Sequence, residues 1–137
     1  MLRGFYIVAS ALMLGNGAWM LAAPGSWFFG LPADLPDTGP FNAHLVRDLG
    51  TAFAVMGLAL AWAARNPSRS RGVHLGVTAF LVGHALVHVG ELLGGRLPHH
   101  HWLLDFPFTF APPLIFLALL HPAVRRRLGG ERGDPAR

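Results

Sequence analysis

Apolar residues run along this chain in four long blocks separated by short polar breaks, and the lengths of those blocks set the architecture. The blocks cover about Phe5 to Ala23, Phe41 to Ala64, Val73 to Gly94 and Trp102 to Leu120. Each approaches the roughly 20 residues that a helix needs to cross the hydrocarbon core of a bilayer. The breaks are PGSWFFGLPADLPDTGP (24–40), RNPSRSRG (65–72) and GRLPHHH (95–101), rich in the Pro, Gly and polar residues that end helices. The pattern predicts an all-α fold, a four-transmembrane-helix bundle that fills 1–124 as a single domain, followed by a basic tail at 125–137.

Composition agrees with a membrane setting. Of 137 residues, 53% are hydrophobic and only 13% charged, and the mean hydropathy is +0.43. The chain has no Cys, which excludes disulfides, thiolate metal sites and thiol redox chemistry. A metal would have to be held by His, Asp and Glu. There is no P-loop, no dinucleotide glycine fingerprint and no Gly-x-Ser-x-Gly elbow, so the common nucleotide and acyl-transfer chemistries have no machinery here. Whether the protein is an enzyme is left open by these residues.

Basic residues stay on the cytoplasmic side of a membrane protein. Arg3 precedes the first block, Arg65, Arg69 and Arg71 lie between the second and third, and Arg125, Arg126 and Arg127 follow the fourth; the other side has Arg96 alone. This predicts cytoplasmic termini, with the 24–40 loop and the HHH turn facing outward. The pI of 11.4 then reflects span ends near anionic lipid, not nucleic-acid binding. The first block could be read as a signal peptide, but its apolar run is long, and Leu and Pro flank the candidate cleavage site after LAA; an uncleaved span is the better reading.

Small residues recur at helical spacing: Ala11, Gly15, Ala18 and Ala22 in the first block, Gly50, Ala54, Gly57 and Ala61 in the second, Gly76, Gly83 and Gly90 in the third. Such stripes let helices approach closely in lipid, where packing drives association. The bilayer is the principal partner, and the stripes leave open a second copy or another membrane protein.

Ionisable residues inside spans are expensive and mark function. His84, His88 and Glu91 share one face of the third block, and His44, Asp48 and Thr51 share one face of the second, with Arg47 adjacent. At about 1.5 Å per residue these two sets overlap in depth, in the outward half. Asn16, Asn42 and Asp105 reach the same half, whereas the inward half holds only His74 and His121. The distribution predicts an outward-facing site and not a continuous path across the membrane. Local readings compete: Asn42 as cap of the second helix, Asp105 as N-cap of the fourth, Arg47 paired with Asp48 or Glu91, and His99, His100 and His101 as a solvated turn whose adjacent imidazoles can also gather metal.

FNAHLVRDLG, opening the second block, and GHALVHVGE in the third, within a chain of four short spans, resemble DoxX-like and other uncharacterised small four-span bacterial membrane proteins. The resemblance implies a four-helix fold and a place in the bacterial inner membrane, and it carries no activity over. From the residues, two functions compete. One is a metal- or haem-binding membrane protein with His44, Asp48, His84, His88 and Glu91 as ligands, a set suited to zinc, iron, manganese or copper. In that case Asn16, Asn42, Arg47, Thr51 and Asp105 support the ligands, Arg47 meeting a haem propionate in the haem version. The other is a binding or accessory protein in which the same groups line an outward pocket for an organic ligand, without metal.

Overall fold

The structure, a computed structural model, describes residues 1–121 and Val124; the predicted tail at 125–137, with Arg125, Arg126 and Arg127, lies outside the described residues. All regular structure among them is helical: α1 (Leu2–Ala22), α2 (Pro24–Gly30), α3 (Ala43–Arg65), α4 (Arg71–Leu93), α5 (His101–Leu104) and α6 (Ala111–Leu120), with short 3-10 turns at Leu35–Thr38 and Pro67–Arg69 and a π-helical turn at Phe106–Phe110. Three helices, α1, α3 and α4, are long and apolar enough to cross a membrane. At 21, 23 and 23 residues they match the first three apolar blocks to within a few positions.

The antiparallel pair α1 and α3 forms the most extensive contact of the fold. A Cβ added to Gly17 would lie 2.8 Å from the Gly50 carbonyl oxygen and 2.9 Å from the Ala54 nitrogen, so backbone meets backbone here. Ser10 adds a hydrogen bond across the pair, from Oγ to the Gly57 carbonyl at 2.8 Å. Small residues therefore do bring helices together, but along Gly17, Gly50, Ala54 and Gly57. The first-block stripe of Ala11, Gly15, Ala18 and Ala22 is exposed, and Gly76, Gly83 and Gly90 on α4 face open space. Small residues suit a lipid-facing surface as well as a helix contact, so spacing alone did not separate the two.

One apolar core gathers Tyr6, Met13, Leu60, Val77, Leu81 and Phe116 from α1, α3, α4 and α6. His74 is buried in its midst, with its ring nitrogens on the Tyr6 hydroxyl at 3.2 Å and the Phe116 carbonyl at 2.9 Å. A carbonyl only accepts, so Nε2 carries the proton; in the neutral ring Nδ1 then accepts from Tyr6. A second cluster, Met20, Trp27, Phe28 and Val46, lies toward the other end.

The connections at that second end place the candidate site. Pro24 cannot continue α1 and starts α2 instead. Trp27 of α2 donates from Nε1 to Asn16 Oδ1 at 2.9 Å, folding the segment back over α1. The chain then passes Asp34, in a left-handed conformation at φ 44, into the turn that bears Asp37. Asn42 caps α3, its side chain accepting from the His44 and Leu45 amides, as the sequence predicts. At the end of α4, Gly95 has φ 67; the Gly95 amide reaches the Leu92 carbonyl and the Arg96 amide reaches that of Glu91. This left-handed helix stop turns the chain sharply toward buried Leu97 and the three histidines.

The fourth block is not one helix. α5 has four residues, the π turn follows, and α6 has ten. The apolar stretch Phe106–Leu120 is shorter than the three helices of membrane-crossing length. Pro107, Pro112 and Pro113 lack amide protons, and the Asp105 carbonyl accepts from Phe108, Thr109 and Phe110 together where the ladder is disturbed. Asp105 stands just before the π turn, yet its side chain does not cap it, because its carboxylate is engaged elsewhere.

Candidate metal centre

Asp105 is buried at 2% exposure and His101 at 0%, so every polar atom they bring needs a protein partner. His88, reaching from α4, donates from Nδ1 to Asp105 Oδ2 at 2.7 Å. His101, one turn before Asp105, approaches Oδ1 through its own Nδ1 at 3.2 Å. One carboxylate thus takes two imidazoles, and each is fixed with Nδ1 as donor, since an ionised carboxylate only accepts.

The opposite nitrogen of His101 faces Asp37. Nε2 lies 3.4 Å from Asp37 Oδ2, and His100 Nε2 lies 3.6 Å from the same oxygen. Asp34 extends the cluster to the surface, 3.8 Å from His100 Nε2. Asp37, His100 and His101 each offer a ligand atom within 4.8 Å of the others. A tetrahedral ion with bonds of about 2.0 to 2.2 Å holds its ligands about 3.4 Å apart, so two of the three pairs are already close to that spacing. The Asp105–His101 pair supplies the carboxylate that orients a ligating imidazole from behind.

The donor chemistry sharpens this picture. With Nδ1–H committed to Asp105, a neutral His101 presents a bare lone pair toward a carboxylate oxygen. Two acceptors facing each other at 3.4 Å are balanced when a cation, a proton or a metal ion, stands between them.

The predicted ligands distribute as follows. His84 and His88 are neighbours on α4, ring centroids 4.8 Å apart and edge to face, with His84 stacked on Phe80. Axial ligation of haem needs imidazoles on opposite sides of the macrocycle, and two rings so packed on successive turns leave no room for it. Glu91 is half-buried, and its side chain makes no hydrogen bond or ion pair among the described residues. His44 pairs with Asp48 at 3.4 Å on a surface where the two side chains are 88% and 63% exposed. Arg47 and Thr51 are exposed beside them; the Thr51 hydroxyl donates to the Arg47 carbonyl, and Arg47 enters no ion pair among the described residues. Asn16 is taken by Trp27 and Asn42 by the α3 cap. The His44 set and the His84 set are therefore not in contact through any of these bonds. What joins the α4 histidines to further polar groups is Asp105, and beyond it His101 and Asp37.

A groove lies beside the 24–40 segment. It has a volume of about 730 Å³ and is lined by Phe28 and the run from Thr38 to Val46, including Asn42 and His44. His84, His88 and His101 take no part in its walls.

The fold and site together define a small helical protein with spans of membrane-crossing length and a His/Asp cluster at one end. No protein-family model, curated protein or solved structure matches the chain.

Proposed function

We propose that this protein is a multi-pass protein of the bacterial inner membrane that binds a transition-metal ion, zinc foremost, on its outward side through Asp37, His100 and His101. The observation that carries the reading is His101, held by Asp105 through one ring nitrogen while the other meets Asp37 at 3.4 Å. His/carboxylate sets suit zinc, iron or manganese. Three protein ligands leave a fourth position for water or a substrate oxygen, the arrangement of reactive rather than purely structural zinc sites. The outward orientation rests on the arginines at the other end of α1, α3 and α4; a reporter inserted between Asn66 and Ser70 reads as cytoplasmic in this topology.

The test is elemental analysis of untagged protein purified in detergent and supplied with zinc, iron, manganese and copper. About one ion per chain is expected, lost in His100→Ala and Asp37→Asn, which change accessible side chains, and retained in His44→Ala. Metal that survives both His100→Ala and Asp37→Asn, or that is lost with His44→Ala, overturns this site. A chain that takes up none of the four metals leaves the organic-ligand groove at Asn42 and His44 as the better account.

A further inference from the structure

At the arginine-bearing end, a groove of about 380 Å³ runs along α1 and α3, lined by Arg3, Ile7, Ser10, Ala11, Leu14, Ala61, Ala64 and Arg65. Its walls are apolar along most of their length. The one hydroxyl there, that of Ser10, donates to the Gly57 carbonyl within the helix pair, so the floor offers an occupant no hydroxyl proton. Small side chains at Ala11, Ala61 and Ala64 make the depression; larger residues would fill it. At one mouth stand two guanidiniums. Arg3 is in the first turn of α1 and Arg65 ends α3, and because the helices are antiparallel both fall at the same end. Both are exposed, and neither forms an ion pair among the described residues.

We infer that this groove binds one anionic phospholipid, its phosphate between Arg3 and Arg65 and an acyl chain along Ile7, Ala11, Leu14 and Ala61. An apolar slot on the side of a helix pair is open to hydrocarbon, so its natural occupant is a lipid tail. Two unpaired guanidiniums at headgroup level add charge complementarity, since guanidinium matches phosphate oxygens with paired N–H donors. Basic pockets between spans on the cytoplasmic side select lipids of net negative charge. A zwitterionic headgroup brings its own ammonium to the same place and loses that advantage. The inference rests on the membrane placement of α1 and α3 and is independent of the metal site, which lies at the other end of the helices.

Native mass spectrometry of the full chain in detergent, titrated with phosphatidylglycerol or phosphatidylcholine, tests it. One phosphatidylglycerol should bind roughly tenfold more tightly than phosphatidylcholine. That preference should disappear in Arg3→Gln/Arg65→Gln and persist in Arg69→Gln/Arg71→Gln, which removes the same charge outside the groove. Ala11→Leu/Ala61→Leu, which fills the slot and keeps both arginines, should weaken phosphatidylglycerol binding, and millimolar inorganic phosphate should not displace the lipid. Equal loss in the two arginine pairs would reduce the effect to general surface charge and overturn the site. Displacement by inorganic phosphate, or indifference to the two leucines, would overturn the lipid assignment in favour of a simple anion.

Discussion

His88 donates to Asp105 across 2.7 Å, tying the interior of α4 to the disturbed start of the last helical segment, and the same carboxylate holds His101. The rigidity of the proposed metal ligand therefore depends on a residue that touches no metal. Asp105→Asn retains one acceptor oxygen but turns an amide N–H₂ toward the second imidazole. Zinc affinity is expected to fall about 10- to 100-fold, because an imidazole that accepts from this amide keeps its proton on Nε2, the nitrogen the ion needs. Titration calorimetry in detergent measures it; an unchanged affinity would remove Asp105 from its supporting role.

Acid should empty the site. Ligation needs unprotonated nitrogen on His100 and His101, so protons compete with the ion and affinity falls as pH is lowered. The neighbouring groups are Asp34, Asp37 and Asp105, whose negative charges favour either cation and keep the competition direct. Bound zinc, followed by equilibrium dialysis, is expected to decline steadily as the pH is lowered from 8 to 5. Binding that is flat from pH 8 to 5 would point to carboxylate ligands without imidazole.

The α1–α3 contact predicts a contrast between two glycines. Gly17→Ala places a methyl 2.8 Å from the Gly50 carbonyl, and backbone cannot yield without parting the helices. A cost of about 1 to 3 kcal/mol is expected. Gly83→Ala enters open space and should leave the melting temperature unchanged or raised. Equal melting temperatures for the two variants would contradict the close approach.

Tyr6→Phe removes the donor to His74 Nδ1 and nothing at the other end of the molecule. Interhelical hydrogen bonds in membrane proteins contribute about 0.6 kcal/mol on average and up to about 1.7. The variant should melt earlier by a corresponding margin while zinc affinity stays at the wild-type value. A change in zinc affinity would show that the two ends are coupled.

The long helices were legible because each depends on a local property, a continuous apolar run bounded by Pro, Gly and charge. The Asn42 cap was legible for the same reason. The adjacent imidazoles of the HHH turn were legible as groups that can gather metal, but their carboxylate partners were not, because Asp37, His101 and Asp105 meet through tertiary structure: α2 must fold back through Trp27 and Asn16, and Gly95 must turn the chain after α4. Facial alignment along a helix correctly joined His84 to His88, but it could not say which surface of α3 faces inward. His44, Asp48 and Thr51 share a face that proved to be the exposed one. His74 shows the reverse: with one partner on Tyr6 and one on Phe116, nothing near it in the chain marks it as the most enclosed imidazole of its helix.

The position of His74 bears on how the chain is made. Its ring is met by α1, synthesised well before it, and by the carbonyl of Phe116 in α6, which emerges from the ribosome some forty residues after it. The Nε2–H to carbonyl contact can therefore form only after α6 has been made. Arrival of α6 completes the pair of contacts and brings α1 and α6 onto the same side chain. A chain that ends before Phe116 lacks this contact, a difference in hydrogen bonding between an unfinished product and a finished one.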